Sequence, residues 1–162
     1  MSARAFIAVE SLSELLIREL ADLRRFCALL AEERKVLTGA EADRLADIAS
    51  EKSSLASQLS QVETRRDALL VKSGFSKGRS GTEAWLASQP DADAERHQWN
   101  EVLKLALQAR NENETNGHLI NLLLKQNQEA LSLLLSGGAD SIYGTDGQQR
   151  SLADGKRSFG TV

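Results

Sequence analysis

A chain of 162 residues with a formal net charge of -3 suits a single domain, and it has no basic excess with which to neutralise a nucleic-acid backbone. Leu (26) and Ala (21) far outnumber Val and Ile together (11), aromatic residues are 4% and proline occurs once. That balance favours helix over strand and excludes most α/β and all-β architectures. The one cysteine, Cys27, rules out an intramolecular disulfide or a multi-cysteine zinc site and reads as a small core residue.

The first helix is expected over about residues 3–37. Val9, Leu12, Leu16, Leu20, Leu23, Cys27, Leu30 and Leu37 step by threes and fours, with Arg34 in one slot, which keeps one stripe on a partner helix. Glu10 and Glu14 sit where a secretory leader would be apolar. Thr38-Gly39 is the expected break, with Gly39 as the cap. The second helix is expected over about 41–72. Leu45, Ile48, Leu55, Leu59, Val62 and Leu69 keep a coiled-coil spacing, with Lys52 and Arg66 in the two remaining slots. Those two either fix the register or lay their stems over the seam. Ala42, Ala46, Ala49 and Ala56 leave room for a close helix.

Residues 73–82, with three glycines and three serines, read as a loop. It is locally basic, but it lacks the spacing of a phosphate loop and no strand precedes it. A short helical piece around Glu83–Ala87 is expected to plug one end of the bundle with Trp85 and Leu86. Pro90 suits the first turn of a third helix, and Asp91 and Asp93 complement its dipole. That helix is expected to run over about 90–135 and to stop at Gly137-Gly138. Gly117 inside it marks a bend or a close contact. From residue 137 to 162 the composition is that of a flexible tail, in which Ile142, Tyr143, Leu152 and Phe159 are isolated apolar residues. The whole reads as an all-α fold: an elongated antiparallel three-helix bundle or coiled coil, with a helical domain over 1–136 and the tail over 137–162.

No catalytic constellation stands out, and no cofactor or metal is expected. His97 and His118 are some 30 Å apart along one helix by its rise and cannot share an ion. No GxSxG or HExxH is present. No apolar run is long enough to cross a membrane. The expected place is the cytosol, with neither nucleic acid nor membrane as a partner.

The informative stretch is LINLLLKQNQEALSLLL, residues 119–135. At 100° per residue its Leu and Ile side chains cover an arc of roughly 220°, where one side of a small bundle needs about 100°. Two explanations stand: burial between two neighbouring helices, or a face left for another protein. Upstream, Asn113 and Asn116 fall on the seam of Trp99, Val102, Ala106 and Ala109.

Asn113, then Asn116-Gly117, then Leu119-Ile120 and the leucine-rich end resemble the FlgN family of flagellar export chaperones. Tyr143 with Asp146-Gly147-Gln148 matches more loosely. The resemblance implies a cytosolic chaperone of flagellar type III secretion. Such a chaperone binds the C-terminal helices of hook-filament junction proteins of the FlgK and FlgL type and docks on an export gate of the FlhA type. Carried over by position, the substrate-protein surface is Asn113, Asn116, Leu119, Ile120, Leu123, Leu124, Asn127, Leu131 and Leu134. Gate docking falls to Tyr143. Weak self-association is compatible with this layout. The alternative is a structural coiled-coil adaptor or homodimerisation module with no secretion role.

Overall fold

The computed structural model describes residues 10–39 and 42–142. The start of the first predicted helix, residues 3–9 with Val9, lies outside the described residues, as do Tyr143, Leu152, Phe159 and the rest of 143–162. The described elements are helices, with no strand among the described residues: α1 (Leu12–Gly39), a 3-10 turn (Ala42–Arg44), α2 (Leu45–Lys72), α3 (Gly78–Ser88) and α4 (Asp93–Ile142). The count of three helices is therefore corrected to four. The chain divides into two compact units, one ending at Ile120 and the other beginning at Asn121.

The N-terminus of α1 is set by a reciprocal cap. Ser11 Oγ accepts from the Glu14 backbone N–H at 3.2 Å, and Glu14 Oε2 accepts from the Ser11 N–H at 2.7 Å. This capping box satisfies two of the groups a helix start leaves open, and α1 begins at Leu12 rather than running through from residue 3. Those bonds from Ser11, its backbone N–H first, hold the Glu14 carboxyl below its ordinary range. Gly39 is the last residue of α1.

Two stripes of α1 are buried, not one. The expected stripe packs Leu16, Leu20 and Leu23 against Trp99 and Val102 of α4, and Cys27 and Leu30 against Ala109. A second stripe, Leu15, Glu19, Asp22, Leu29, Glu33 and Val36, is also buried. From it Leu29 and Val36 pack against Ile48 and Leu55 of α2. Arg34 is exposed, and the buried polar residue beside it is Glu33. Helix α2 runs antiparallel to α1: Glu19 meets Arg66 near one end and Glu33 meets Lys52 near the other. Ala46, Ala49 and Ala56 are exposed, so no described helix packs closely over them.

A Schellman turn closes α2. Phe75 N–H donates to Leu70 C=O at 2.9 Å and Gly74 N–H to Val71 C=O at 3.0 Å. Gly74 takes the left-handed φ of 85° that this turn requires. The segment expected to be loop to Thr82 turns helical at Gly78, whose N–H donates to Asp67 Oδ1 at 2.9 Å. With a carboxylate already on that amide, the anion-cradle reading has no support. Close packing replaces it: a Cβ at Gly81 would fall 1.6 Å from the Ser76 carbonyl oxygen. Helix α3 then delivers Leu86 and Trp85 to the Leu16–Trp99 cluster.

The α3–α4 connection is held by Arg96. Its guanidinium donates to the Leu86, Gln89 and Pro90 carbonyls at 2.9, 3.0 and 3.3 Å, and to Asp93 Oδ1 at 2.7 Å. It thus occupies carbonyls that the end of α3 leaves open. Pro90 belongs to this turn, and α4 begins at Asp93. At its other end α4 continues through Gly137 and Gly138 to Ile142, where the reading from sequence stopped near Leu135. A helical glycine costs only about 1 kcal/mol and need not end a helix.

Candidate protein-binding surface

In the first unit the polar residues on the seams are consumed inside the bundle. Arg66 is 3% exposed. Its guanidinium donates to Glu19 Oε1 at 2.6 Å and also reaches Oε2, and it lies 5.0 Å from the Trp99 ring centroid. Burial pushes the Glu19 carboxyl above its ordinary range, and the bonds from Arg66 oppose that push. Fourteen residues along each helix a second polar layer forms: Glu33, Lys52 and Asn113. Lys52 Nζ donates to both Glu33 oxygens at 3.0 and 2.9 Å and to Asn113 Oδ1 at 2.9 Å.

Asn116 completes that layer. It is fully buried, and its Nδ2 donates to Leu30 C=O and to Glu33 Oε2, both at 2.8 Å. Its Oδ1 accepts from Arg34 Nε at 3.3 Å. Of the nine residues carried over as a substrate-protein surface, Asn116 therefore has its amide engaged within the bundle. Asn113 has an exposed body and an occupied oxygen. Leu119 and Ile120, at the end of the first unit, are half-buried. Gly117 beside them has nothing within 4 Å of a Cβ position, so no close contact accounts for it.

The second unit presents the opposite picture. Leu122, Leu124, Leu131, Leu133, Leu134 and Leu135 are 52–76% exposed. Leu123 is half-buried, and Asn127 is exposed. Six leucines largely in water within fourteen residues of one helix form an apolar patch of the kind that marks an interaction surface. Of the two explanations for the wide apolar arc, the exposures favour a face left open. Tyr143, the expected gate-docking residue, lies outside the described residues.

Sequence reasoning missed the second α1 stripe and the Arg96 clasp. The signal for the stripe was present: Glu19 and Glu33 are spaced by fourteen, as are Lys52 and Arg66, and the charges are opposite. Among the described residues no cluster of His, Cys, Asp and Glu could hold a metal ion, and no described helix is long and apolar enough to cross a membrane.

Bundle and surface together define a helical protein that buries its polar seam residues and leaves a leucine-rich helix face open. The family model described as FlgN protein matches residues 1–151, and the chain belongs to the FlgN family, a family of flagellum-biogenesis proteins. It is 25% identical over 152 residues to the Flagella synthesis protein FlgN of Proteus mirabilis, covering 92% of this chain and 97% of that relative. No solved structure matches the chain.

Proposed function

We propose that this protein is a cytosolic flagellar export chaperone. It shields the C-terminal helices of junction proteins of the FlgK and FlgL type on the leucine-rich part of α4 and escorts them to an export gate of the FlhA type. The observation that carries this reading is the exposure of Leu122–Leu135. A helix with apolar residues at three- and four-residue spacing is a surface on which an amphipathic partner helix can lie. Covering such leucines is favourable by about 25 cal/mol per Å² of apolar area. Ordering a disordered client costs several kcal/mol of that gain, on the order of 2–5, which keeps the complex releasable. Leu123, Leu124, Leu131 and Leu134 form the client contact, with Leu119, Ile120 and Asn127 beside them. Tyr143, next in sequence after α4, is the gate-docking residue on the same reading. Asn113 and Asn116 act indirectly, by holding α4 in register on α1 and α2.

Calorimetric titration with the C-terminal segments of the FlgK- and FlgL-type proteins of the same genome tests this. A 1:1 isotherm with a negative heat-capacity change is expected. Leu123→Asp with Leu124→Asp lowers the affinity at least tenfold while circular dichroism and unfolding stay those of the parent. Unchanged affinity in the folded variant sinks the surface assignment. Silence of the folded parent with both segments sinks the client assignment.

A further inference from the structure

We propose that the side of the α1–α2 hairpin turned away from α4 is a docking groove for an acidic helix of a partner protein. At 100° per residue, Arg18, Arg25 and Glu32 point about 180° from the α1 stripe that packs on α4. Three clefts follow one another along that side, all within the first unit. The first, of about 260 Å³, lies over Leu15, Ala68 and Leu69 between Arg65 and Lys72. The second, of about 240 Å³, has Asp22 and Val62 in its floor and Arg18, Arg25 and Arg65 around it. The third, of about 490 Å³, is lined by Ala28, Ala31, Lys35, Val36 and Arg44. Leu15 and Val36, at the two ends, are about 30 Å apart by helix rise, the length of a helix of about twenty residues.

The shape of the groove suits a helix. Its floor is apolar, with Leu15, Val36 and Val62 buried. Ala28, Ala31 and Ala68 are exposed and short, so a helix backbone can come close over them. Two antiparallel helices present a groove on each side, and α4 fills the opposite one by packing its side chains between those of α1 and α2.

Charge selects the partner. Six cations, Arg18, Arg25, Lys35, Arg44, Arg65 and Lys72, stand around the three clefts against three acids, Glu10, Asp22 and Glu32. That is a local net charge of +3 on a chain whose total is -3. Glu10 lies between Arg18 and Arg65 at 3.2 and 3.4 Å, and Glu32 meets Arg44. Arg25, Lys35 and Lys72 meet no carboxylate among the described residues. With Glu19 level with Arg66 and Glu33 level with Lys52, Lys72 falls level with Ser13. The three unpaired cations then recur along the groove at intervals of roughly 15–20 Å. A partner helix with acids down both flanks of an apolar, alanine-rich stripe matches floor and rim together. Asp22 is 9% exposed and has no hydrogen-bond partner among the described residues. An acceptor of that kind calls for a hydroxyl, amide or ammonium donor near the middle of the partner helix. Exposed ion pairs are individually weak and screened by salt, so the contact is salt-sensitive.

The probe is a synthetic fluorescent helix of about twenty residues. It carries leucine and alanine at three- and four-residue spacing, glutamate on both flanks and one central serine. Fluorescence anisotropy with the full chain reads its binding. The glutamate helix is expected to bind, and to bind several-fold more weakly when salt rises from about 50 to about 300 mM. A lysine-flanked version of the same helix binds at least tenfold more weakly. Arg25→Glu with Lys35→Glu breaks no ion pair of the parent. It weakens the glutamate helix at least tenfold with circular dichroism unchanged, and it strengthens the lysine helix. Leu123→Asp with Leu124→Asp leaves the glutamate helix bound as before. No binding by the folded parent overturns the inference, as does equal binding of the lysine helix or of unstructured polyglutamate. Binding that survives the charge reversal, or that is lost in the leucine variant, overturns it as well. The client leucines take no part in this groove, so a negative result leaves the client assignment standing.

Discussion

Removing Arg66 is the sharpest test of how the bundle is held. Its side chain is 4% exposed and that of Glu19 is 11%, so Arg66→Ala leaves a carboxylate in a nearly dry layer and strips the Trp99 face of its cation. Breaking a buried pair from one side costs about 3–5 kcal/mol, a large share of the 5–15 kcal/mol that a domain usually has. Urea unfolding followed by circular dichroism and by the fluorescence of Trp85 and Trp99 measures it, and at this chain length the midpoint temperature falls by roughly 10 °C. The pH dependence has a definite sign. Burial already pushes the Glu19 carboxyl up against the opposing bonds from Arg66. Without Arg66 the folded-state value rises further above the unfolded one. A carboxyl raised in this way is favourable below the unfolded value and loses that favour as pH rises through the folded value. The deficit of Arg66→Ala is thus largest at neutral pH and shrinks on acidification. The double replacement Glu19→Leu with Arg66→Met regains most of the loss, because Arg66 Nε and Trp99 Nε1 find no partner among the described residues in any case. A cost of Arg66→Ala below about 1 kcal/mol, or a deficit that grows as pH falls, would refute the reasoning.

Ser11→Ala removes the hydroxyl half of the capping box and lowers stability by about 1 kcal/mol by urea titration. The Glu14 carboxyl is held low by Ser11, so its contribution is present above the ordinary carboxylate range and fades as pH falls through the folded value. That fading is weakened but retained in the variant, because the backbone N–H of residue 11, the larger cause, still donates to the Glu14 carboxylate. Gly81→Ala puts a Cβ into the Ser76 carbonyl and costs about 2 kcal/mol or more, read as a lower denaturant midpoint; an unchanged midpoint would contradict the close packing of that turn. Asn116→Ala leaves Glu33 without one of its partners and costs about 1–3 kcal/mol, and Asn116→Asp costs more at neutral pH because it sets a second carboxylate beside the first. Gly117→Ala, where nothing lies within 4 Å of the new Cβ, raises stability by about 0.5–1 kcal/mol, and a loss there would reveal a contact the geometry does not contain.

Periodicity made the helices legible, because Leu and Ala at three- and four-residue spacing leave little alternative. It made only one face of α1 legible. The second face carries Glu19, Asp22 and Glu33, and a hydrophobic pattern passes over acids that are buried by pairing. Read as charges rather than as interruptions, Lys52 and Arg66 on α2 point to Glu33 and Glu19 at matching spacing. The short helix α3 was half visible, through Trp85 and Leu86. Its start at Gly78 depends on the Asp67 bond and on the space over Gly81, which are tertiary facts. Helix ends were the least legible part. Ser11 and Glu14 form a recognisable signature that went unused, whereas Gly137-Gly138 read as a stop and proved tolerable within a helix. On the surface, the leucine excess of residues 119–135 was visible in the sequence, and the structure leaves six of those leucines exposed. The asparagines beside it looked alike in sequence. Burial separates them: Asn116 is an internal tie and Asn127 an exposed side chain.

Amide hydrogen exchange along α4, with and without the C-terminal segment of a FlgK- or FlgL-type protein, bears most directly on the proposed role. Client binding at the leucine face should slow exchange across residues 122–135 and leave the paired interior around Glu19–Arg66 unchanged. Slowed exchange confined to α1 and α2, with residues 122–135 as before, would contradict it.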